Sequence, residues 1–586
     1  MGQFLKFTFA SCLGVFIAIG LIFGLLLVIG IGAASAGKGT MIEENSVLKL
    51  TLDYYVPEHT NNVAQSSFQF QLEDVIGLHD VLDMIHAAKD DAKIRGIYLN
   101  PTHVELGTVK TAQLADALQD FRASGKWVLS YAEYYPQGGY VLAAQADTVM
   151  LNPIGSVDFR GYASYVPFFK ELLDKTGIKM QIYYAGDFKS ATEPFRRTEM
   201  SPENKLQTRE YLDDAYTHYL EKVSKGRKIE VARLYEIANT MRSQNAEDAL
   251  ALGLVDQIAY RDQADDWMRR RMGLSKEDDI TMLEPKEYHL VWKRSSSVSK
   301  NRIAIVYAEG EIIPGKGSYG NIGDQRYTKI LADLRENDRV KGVVLRINSP
   351  GGNILASENI LREVKLLREA GKPVVVSMGD YAASGGYYIA ADADSIFAEP
   401  TTLTGSIGVF TMIPNPYALL NDKLGVRFDT VRTGEYSASF TPFFEWSDAE
   451  HESMQVRTDE YYDLFLTHVS KARNKTKEEV HTIAKGRIWS GDRALANGLV
   501  DRLGSLNDAI SSTATLAKID DYRTSEYPRV LNPLNRLISQ ISGQEVSIYD
   551  RYLEARLAKH IPHFRELKSL LSYTEPMARL PILFDF

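Results

Sequence analysis

An internal duplication is the feature that most constrains the fold of this 586-residue chain. Residues 128–153 and 375–400 share 11 of 26 residues without a gap, at an offset of 247 residues. Three other pairs of segments match in the same order at nearly the same offset. The chain therefore holds two copies of one domain, which we place at 45–292 and 303–525. A polar, serine-rich stretch at 293–302 is typical of a linker.

The N-terminus carries a second strong pattern. No charged side chain occurs between Phe7 and Gly37. A helix of that length would measure about 45 Å, more than the roughly 30 Å hydrocarbon core of a membrane. We predict a transmembrane anchor at 7–37, with residues 1–6 in the cytoplasm, although Ala34–Ala36 also resembles a signal-peptide cleavage site. The two repeats and a C-terminal tail at 526–586 would then lie outside the cytoplasm.

Composition excludes several classes of function. A net charge of −9 leaves no basic face for a nucleic acid. The single cysteine, Cys12, excludes an internal disulfide. The histidines are scattered and the chain lacks the His-Glu-x-x-His and Cys-x-x-Cys motifs, so we expect neither a metal nor a cofactor.

Short β-branched runs alternate with helical patterns in both repeats. Residues 342–348 and 373–378 predict buried strands, and residues 357–370 place their apolar side chains on one helical face. Such alternation is typical of an α/β fold with a mainly parallel sheet. In these folds, functional sites lie at the turns that follow the strands.

Two glycine-rich turns of the second repeat carry the candidate catalytic chemistry. Ser384 follows a predicted strand and opens a predicted helix, whereas the first repeat has Gln137 at the equivalent position. The N–H groups of Gly385, at the helix start, and of Gly352, in the neighbouring Ser-Pro-Gly-Gly turn, can both donate to a developing oxyanion. We therefore predict that Ser384 is a nucleophile and that these two N–H groups form its oxyanion hole. A serine packed in a glycine-rich turn is the alternative.

A serine nucleophile needs a base, and the second repeat has no histidine before His451. The first repeat has Lys189 where the second has Ser437, so each copy holds what the other lacks. One site built from both repeats, with Lys189 as the general base for Ser384, explains both differences.

Lys189 can accept a proton only if its neutral form is favoured, and desolvation lowers the pKa of a lysine. The aromatic residues that flank it in the sequence can supply a dry environment. A surface lysine paired with Asp187 or Glu193 is the alternative. Because the linker of about 10 residues spans at most about 35 Å, we expect Lys189 and Ser384 to come from the same chain.

From about Ser46 to Ser525, the chain resembles the long, duplicated form of the signal peptide peptidase A (protease IV) family, through its motifs NSPGG, GDYAASGGYYIA, LTGSIGVF and GDFKSATEPF. The resemblance implies tandem Clp-protease/crotonase-like domains and a serine–lysine dyad of Ser384 and Lys189. It implies that Ser406 helps to orient the lysine. It also implies a homotetramer at the bacterial inner membrane, with its catalytic domains on the periplasmic side, that hydrolyses signal peptides left after secretion.

Two other classes of function compete with a peptidase. A crotonase-like acyl-CoA enzyme also uses two backbone N–H groups at comparable turns, but the anchor and the Ser/Lys pair argue against it. A non-catalytic membrane scaffold could keep the fold for oligomerisation alone. For the peptidase, we expect extended, apolar peptide substrates that pair with an edge strand near Gly352 and Gly385.

Overall fold

The computed structural model describes residues 13–21, 24, 42–63, 75–291, 299–529 and 577–579. Most of the predicted anchor at 7–37, of the linker at 293–302 and of the tail at 526–586 lies outside these residues. Residues 13–21 are helical. Within the described ranges, no helix combines the length and the apolar character needed to cross a membrane.

The first repeat is built around a six-stranded sheet. The strands of this repeat are β1 (Ser46–Leu50), β2 (Ile94–Leu99), β3 (Trp127–Tyr135), β4 (Thr148–Val157), β5 (Lys179–Ala185), β6 (Gln257–Ile258) and β7 (Met282–Leu283). Of these, β5 belongs to a different sheet. The helices are α1 (Leu78–Asp90), α2 (Thr108–Ala123), α3 (Gln137–Ala143), α4 (Lys170–Thr176), α5 (Glu193–Arg196), α6 (Pro202–Arg227), α7 (Val231–Asn239), α8 (Ala246–Ala251), α9 (Arg261–Met272) and α10 (Pro285–Val291). The strand order is β6-β4-β3-β2-β1-β7, and every pairing is parallel.

The second repeat has an eight-stranded sheet and a set of shorter strands. The strands are β8 (Arg302–Glu309), β9 (Glu311–Ile313), β10 (Asn321–Gly323), β11 (Val340–Ser349), β12 (Gly351–Asn353), β13 (Val374–Ala383), β14 (Ser395–Ala398), β15 (Leu403–Gly405), β16 (Val409–Asn415), β17 (Ile488–Trp489), β18 (Arg502–Leu503) and β19 (Arg523–Tyr527). The helices are α11 (Asp324–Glu336), α12 (Ile354–Glu369), α13 (Gly385–Ala390), α14 (Asp448–Arg473), α15 (Lys477–Ile483), α16 (Gly491–Asn497) and α17 (Leu506–Ala517).

Strands β8, β11 and β13 form the centre of the large sheet and pair in parallel. Their side chains are almost entirely buried, as the β-branched runs predicted. The sheet runs β17-β15-β13-β11-β8-β19. Strand β14 also pairs with β13, and β18 pairs with β14. Only the β15–β17 pairing is antiparallel among the described strands of this sheet. The predicted tandem α/β arrangement with mainly parallel sheets is confirmed, and β19 extends two residues beyond the predicted end of the repeat at 525.

A third, mixed sheet joins the two repeats. Its order is β10-β9-β12-β20-β16-β5, where β20 is Met577–Arg579 from the C-terminal tail. Strand β5 of the first repeat pairs antiparallel with β16 of the second along its whole length, from Ala185 opposite Val409 to Lys179 opposite Asn415. Backbone hydrogen bonds therefore join the two repeats along β5, which ends four residues before Lys189.

Buried charged residues also connect the repeats. Arg346 on β11 donates its Nε–H to Glu58 of the first repeat at 2.9 Å, and the Lys110 ammonium lies 3.5 Å from Glu309 at the end of β8. Asp380 on β13 accepts the N–H of Lys110 at the start of α2. Burial by itself would raise the pKa of Glu58, but Arg346 and Lys110 hold it below its ordinary value. Burial raises the pKa of Glu309 and of Asp380.

Candidate active site

Ser384 occupies the sharp turn between β13 and α13. Its backbone has φ of +56° and ψ of −116°, a conformation that a residue with a side chain rarely adopts. The turn is fixed from both sides, because the Ser384 N–H donates to the Gly405 carbonyl and its own carbonyl accepts from the Tyr388 N–H, each at 2.8 Å. The side chain is 0 % exposed. The surrounding sheet thus holds one hydroxyl in a strained, fixed orientation at the end of a central strand.

Lys189 reaches this turn from the first repeat. It follows β5 and precedes a short 3₁₀ turn, Ser190–Thr192. A loop of the second repeat holds it in place: the Phe188 N–H donates to the Lys485 carbonyl at 2.9 Å. Gly486 lies so close that a Cβ there would come within 2.6 Å of the Lys189 Cβ. Only glycine permits this approach.

The lysine amine has three polar neighbours. Its Nζ lies 2.7 Å from the Oγ of Ser384, 3.0 Å from the Oγ of Ser406 and 3.1 Å from the Ser406 carbonyl oxygen. A neutral amine has two N–H donors and one lone pair. Ser406 can accept both donors, which leaves the lone pair for the hydroxyl proton of Ser384. This arrangement suits a lysine that acts as a base.

Burial sets the charge state of the amine. Lys189 is 1 % exposed, and desolvation lowers the pKa of its ammonium well below the ordinary value. Of the two carboxylates proposed as its alternative partners, Asp187 instead lies 3.9 Å from Lys485. Glu193 accepts hydrogen bonds from the Asn204 side chain and the Ser201 N–H. The surface-lysine alternative therefore does not fit the structure.

The two predicted oxyanion donors lie on neighbouring elements. Gly385 is the first residue of α13, a position whose N–H has no acceptor within the helix. Gly352 lies in β12, where a Cβ would come within 2.0 Å of the Ile312 carbonyl oxygen. The close packing of β9 explains why residue 352 is glycine. The assignment of both N–H groups to an oxyanion hole remains a prediction.

The equivalent turn of the first repeat has glutamine, and no hydroxyl, at the position of Ser384. Gln137 begins α3, as Gly385 begins α13, and its side-chain oxygen accepts the Arg160 N–H at 2.9 Å. Ser437, the counterpart of Lys189, lies in an exposed segment of the second repeat. The structure thus brings a lysine of the first repeat to a serine of the second. The role of the two residues as a catalytic dyad stays a prediction.

The motifs by themselves assign no role to Ser406, and its expected role rests on the family resemblance alone. The residue has φ of +50° directly after Gly405, also at positive φ. Its N–H donates to the Arg487 carbonyl at 2.7 Å. The positive φ angles of Ser384 and Ser406 mark both residues in the structure, but no sequence pattern predicts them.

Comparison with known proteins identifies the family of this chain. The model of peptidase family S49 matches residues 120–275 and 366–520, one segment in each repeat. Protease 4 of Haemophilus influenzae is 36 % identical over 84 % of this chain and 83 % of its own length. Protease 4 of Salmonella typhi is 35 % identical over 82 % and 78 %. The chloroplastic serine protease SPPA of Arabidopsis thaliana is 29 % identical over 88 % and 76 %. Because both repeats match the family and the relatives align with most of its length, this chain belongs to peptidase family S49 and is a serine peptidase.

Proposed function

We propose that this peptidase is a membrane-anchored endopeptidase that cleaves signal peptides and other apolar peptides with a dyad of Ser384 and Lys189. One observation carries the proposal: a buried lysine amine lies 2.7 Å from the hydroxyl of a serine on a strained turn. A hydroxyl beside a base is the arrangement that nucleophilic catalysis requires.

The first chemical step is acylation. Ser384 Oγ attacks the substrate carbonyl while its proton moves to the neutral amine of Lys189. The N–H groups of Gly352 and Gly385 stabilise the oxyanion of the tetrahedral intermediate. The Lys189 ammonium then returns the proton to the departing amine, the peptide C–N bond breaks, and an ester to Ser384 remains.

Deacylation repeats the same transfers with water. Lys189 accepts a proton from the water molecule that attacks the ester carbonyl, and it returns this proton to Ser384 Oγ as the C–O bond breaks. Ser406 accepts both N–H groups of the neutral amine and so keeps its lone pair directed at the reacting oxygen. A lysine with a lowered pKa can perform both transfers near neutral pH.

The location and assembly are part of the same proposal. The uncharged segment from Phe7 to Gly37 would anchor the chain in the bacterial inner membrane, with the repeats on the periplasmic side. We further propose a Clp-protease/crotonase-like fold for each repeat and a homotetramer. The parallel sheets, with the site at a strand–helix turn, support the fold.

A fluorophosphonate probe tests the nucleophile. We expect it to label the wild-type chain on Ser384, and a quenched peptide with an apolar signal-sequence core to be cut. Ser384→Ala should lose both signals, whereas Ser395→Ala, a buried serine on β14, should keep them. Labelling that survives Ser384→Ala would refute the assignment. Deleting residues 1–40 should release the protein from the membrane fraction while preserving the labelling.

A further inference from the structure

Four side chains of the second repeat form a polar network beside the turn that carries Ser384. Tyr388, in the first turn of α13, is fully buried and donates its hydroxyl to Oε2 of Glu358 on α12 at 2.6 Å. Nε2 of His468 on α14 lies 3.0 Å from the same oxygen. Nζ of Lys365 on α12 lies 3.1 Å from the other ring nitrogen of His468. Three helices of the second repeat thus meet at one carboxylate.

The network has a consistent arrangement of protons. A lysine ammonium can only donate, so Nδ1 of His468 accepts from Lys365 and the ring proton lies on Nε2, towards Glu358. The neighbouring His468 lowers the pKa of Glu358 to about 2, and burial raises the pKa of Tyr388. Glu358 is therefore an ionised acceptor and Tyr388 a protonated donor over the pH range in which a lysine base can work.

Tyr388 and Glu358 belong to the helices that follow the two predicted oxyanion turns. Helix α13 begins at Gly385, and the Tyr388 N–H donates to the Ser384 carbonyl at 2.8 Å. Helix α12 begins directly after β12, which contains Gly352. The hydrogen bond between Tyr388 and Glu358 therefore links the helix that carries one N–H group to the helix that follows the other.

The two turns also touch each other. A Cβ on Gly386 would come within 2.7 Å of the carbonyl oxygen of Ser349, the residue at which β11 ends. A change in the distance between α12 and α13 would shift one predicted donor relative to the other. An oxyanion donor is effective only at about 2.7–3.1 Å from the oxygen, so even a small displacement would weaken it.

The first repeat provides an internal comparison, because it has the same helices without the serine. Helices α2 and α12 each have 16 residues, and α6 and α14 each have 26, so their positions correspond one by one. At three positions of the network, the first repeat has side chains that cannot form it: Ala112 for Glu358, Val141 for Tyr388 and Lys222 for His468. The network is thus confined to the copy that carries the candidate nucleophile.

The neighbouring tyrosine shows the opposite pattern. Tyr387 donates its hydroxyl to the Leu499 carbonyl at 2.8 Å, and Tyr140 of the first repeat donates to the Leu254 carbonyl at 2.6 Å. Both tyrosines are fully buried. A contact that is present in both copies serves the fold that they share. A contact that is present only beside Ser384 is a candidate for a role in the reaction.

We propose that Tyr388 and Glu358 are positioning residues that fix the spacing of the two oxyanion N–H groups, and that His468 and Lys365 hold the Glu358 carboxylate in place. This inference rests on the proposed endopeptidase function. Tyr388 and Glu358 act through the backbone of α12 and α13 rather than on the substrate itself. Because they align donors for the transition state, their loss should lower kcat and leave KM unchanged.

Kinetics with the quenched apolar peptide test the positioning role. Tyr388→Phe and Glu358→Ala should each lower kcat about 10-fold at constant KM, less than the roughly 100-fold or greater loss that removal of an oxyanion donor causes. Glu358→Gln keeps an oxygen acceptor for the Tyr388 hydroxyl and should recover most of this loss. Tyr387→Phe is the matched control, because it removes a buried hydroxyl one residue away, and it should keep wild-type kcat.

Melting temperatures separate a folding defect from a positioning defect. Tyr388→Phe and Tyr387→Phe should lower the melting temperature to a comparable extent, since each removes one buried hydrogen bond. A loss of kcat that is equal in both variants would be a general effect of destabilisation and would overturn the proposal. Wild-type kcat in Tyr388→Phe would overturn it as well.

A transition-state analogue shows whether the oxyanion hole is what changes. Ser384 Oγ adds to the carbon of a peptide aldehyde, its proton passes to Lys189, and the aldehyde oxygen becomes the oxyanion. The corresponding peptide alcohol binds without this adduct. Tyr388→Phe should weaken inhibition by the aldehyde about 10-fold and leave inhibition by the alcohol unchanged. An equal weakening of both inhibitors would refute a role at the oxyanion hole.

The same assays distinguish a failure of this inference from a failure of the proposed function. If the wild-type chain neither cleaves the peptide nor is labelled by the fluorophosphonate at Ser384, the endopeptidase proposal fails and this inference fails with it. If the wild type does both and Tyr388→Phe matches it in kcat, only the positioning role fails.

Discussion

The Nζ atom of Lys189 lies 2.7 Å from the Oγ atom of Ser384, although 195 residues separate them in the chain and each belongs to a different repeat. Two features bring them together: the pairing of β5 with β16, and the loop at Lys485 and Gly486 that contacts the backbone around Lys189. The proposed catalytic pair therefore depends on the contact between the repeats as much as on either domain.

Loss of either member of the pair should abolish peptide hydrolysis. Ser384→Ala removes the proposed nucleophile and Lys189→Met removes the proposed base, and both residues would serve the same proton transfer. We therefore expect the double variant to be no less active than either single variant. Lys179→Met, on the exposed start of β5, is the matched control and should retain wild-type kcat. Hydrolysis by Lys189→Met above a tenth of the wild-type rate would rule out Lys189 as the essential base.

Mixed assemblies should stay inactive. Because the structure joins Lys189 and Ser384 within one chain, chains with Lys189→Ala and chains with Ser384→Ala each carry a defective site. Co-expressing the two and measuring hydrolysis by the purified mixture checks this. If the mixture of the two variants regains activity, to an extent set by the proportion of each, then a lysine from one chain serves a serine of another.

The pH dependence of activity and of stability should both follow Lys189. Hydrolysis should increase as pH rises through the lowered pKa of Lys189, because only the neutral amine accepts the serine proton. Between that pKa and the ordinary lysine value, the unfolded chain binds one more proton at this site than the folded chain. The contribution of Lys189 to the free energy of unfolding therefore increases with pH over this range.

Lys189→Met tests the stability half of that prediction. It removes a buried amine, so it should raise the melting temperature at neutral pH, and the difference should shrink at alkaline pH. Calorimetry at several pH values measures it. A difference in melting temperature between Lys189→Met and wild type that stays the same at every pH would contradict the prediction.

Ser406 should affect the rate rather than the fold. Ser406→Ala removes one acceptor of the lysine amine and should reduce kcat about 10-fold, the equivalent of one hydrogen bond of about 1.4 kcal/mol. Ser406→Gly also removes the hydroxyl but relieves the positive φ of +50°. Equal kcat losses in both variants, with KM unchanged, would identify the hydroxyl as the cause. Wild-type kcat in Ser406→Gly would show that the hydroxyl does not position Lys189.

The buried pair of Arg346 and Glu58 should matter for stability. Arg346→Met leaves a buried carboxylate without its closest cation and should lower the free energy of unfolding by about 3–5 kcal/mol. Adding Glu58→Gln should recover part of this loss. Arg362→Met removes a solvent-exposed pair and should change the stability by less than about 1 kcal/mol. Denaturant titration measures all three, and a loss in Arg346→Met no larger than in Arg362→Met would contradict the prediction.

The sequence singles out Ser384 and Lys189 as candidates because each carries a pattern that can be read along the chain. Ser384 lies in a glycine-rich motif between a strand and a helix pattern, and Lys189 emerges when the two copies of one segment are compared. No such pattern marks Glu58, whose partner Arg346 lies 288 residues away. The three residues of β20 are too few for any periodicity, so their pairing with β12 depends entirely on tertiary structure.

The pairing of β5 with β16 also determines when activity can begin. A ribosome that has completed the first repeat has made the lysine but no nucleophile. A ribosome that has just passed Ser384 has made the serine as well. The loop at Lys485 and Gly486, which holds Lys189 in place, is still to be synthesised. The proposed dyad is therefore complete only after the chain has been synthesised past Gly486 and its two repeats have paired. A chain that ends before Gly486 should therefore not cleave peptides.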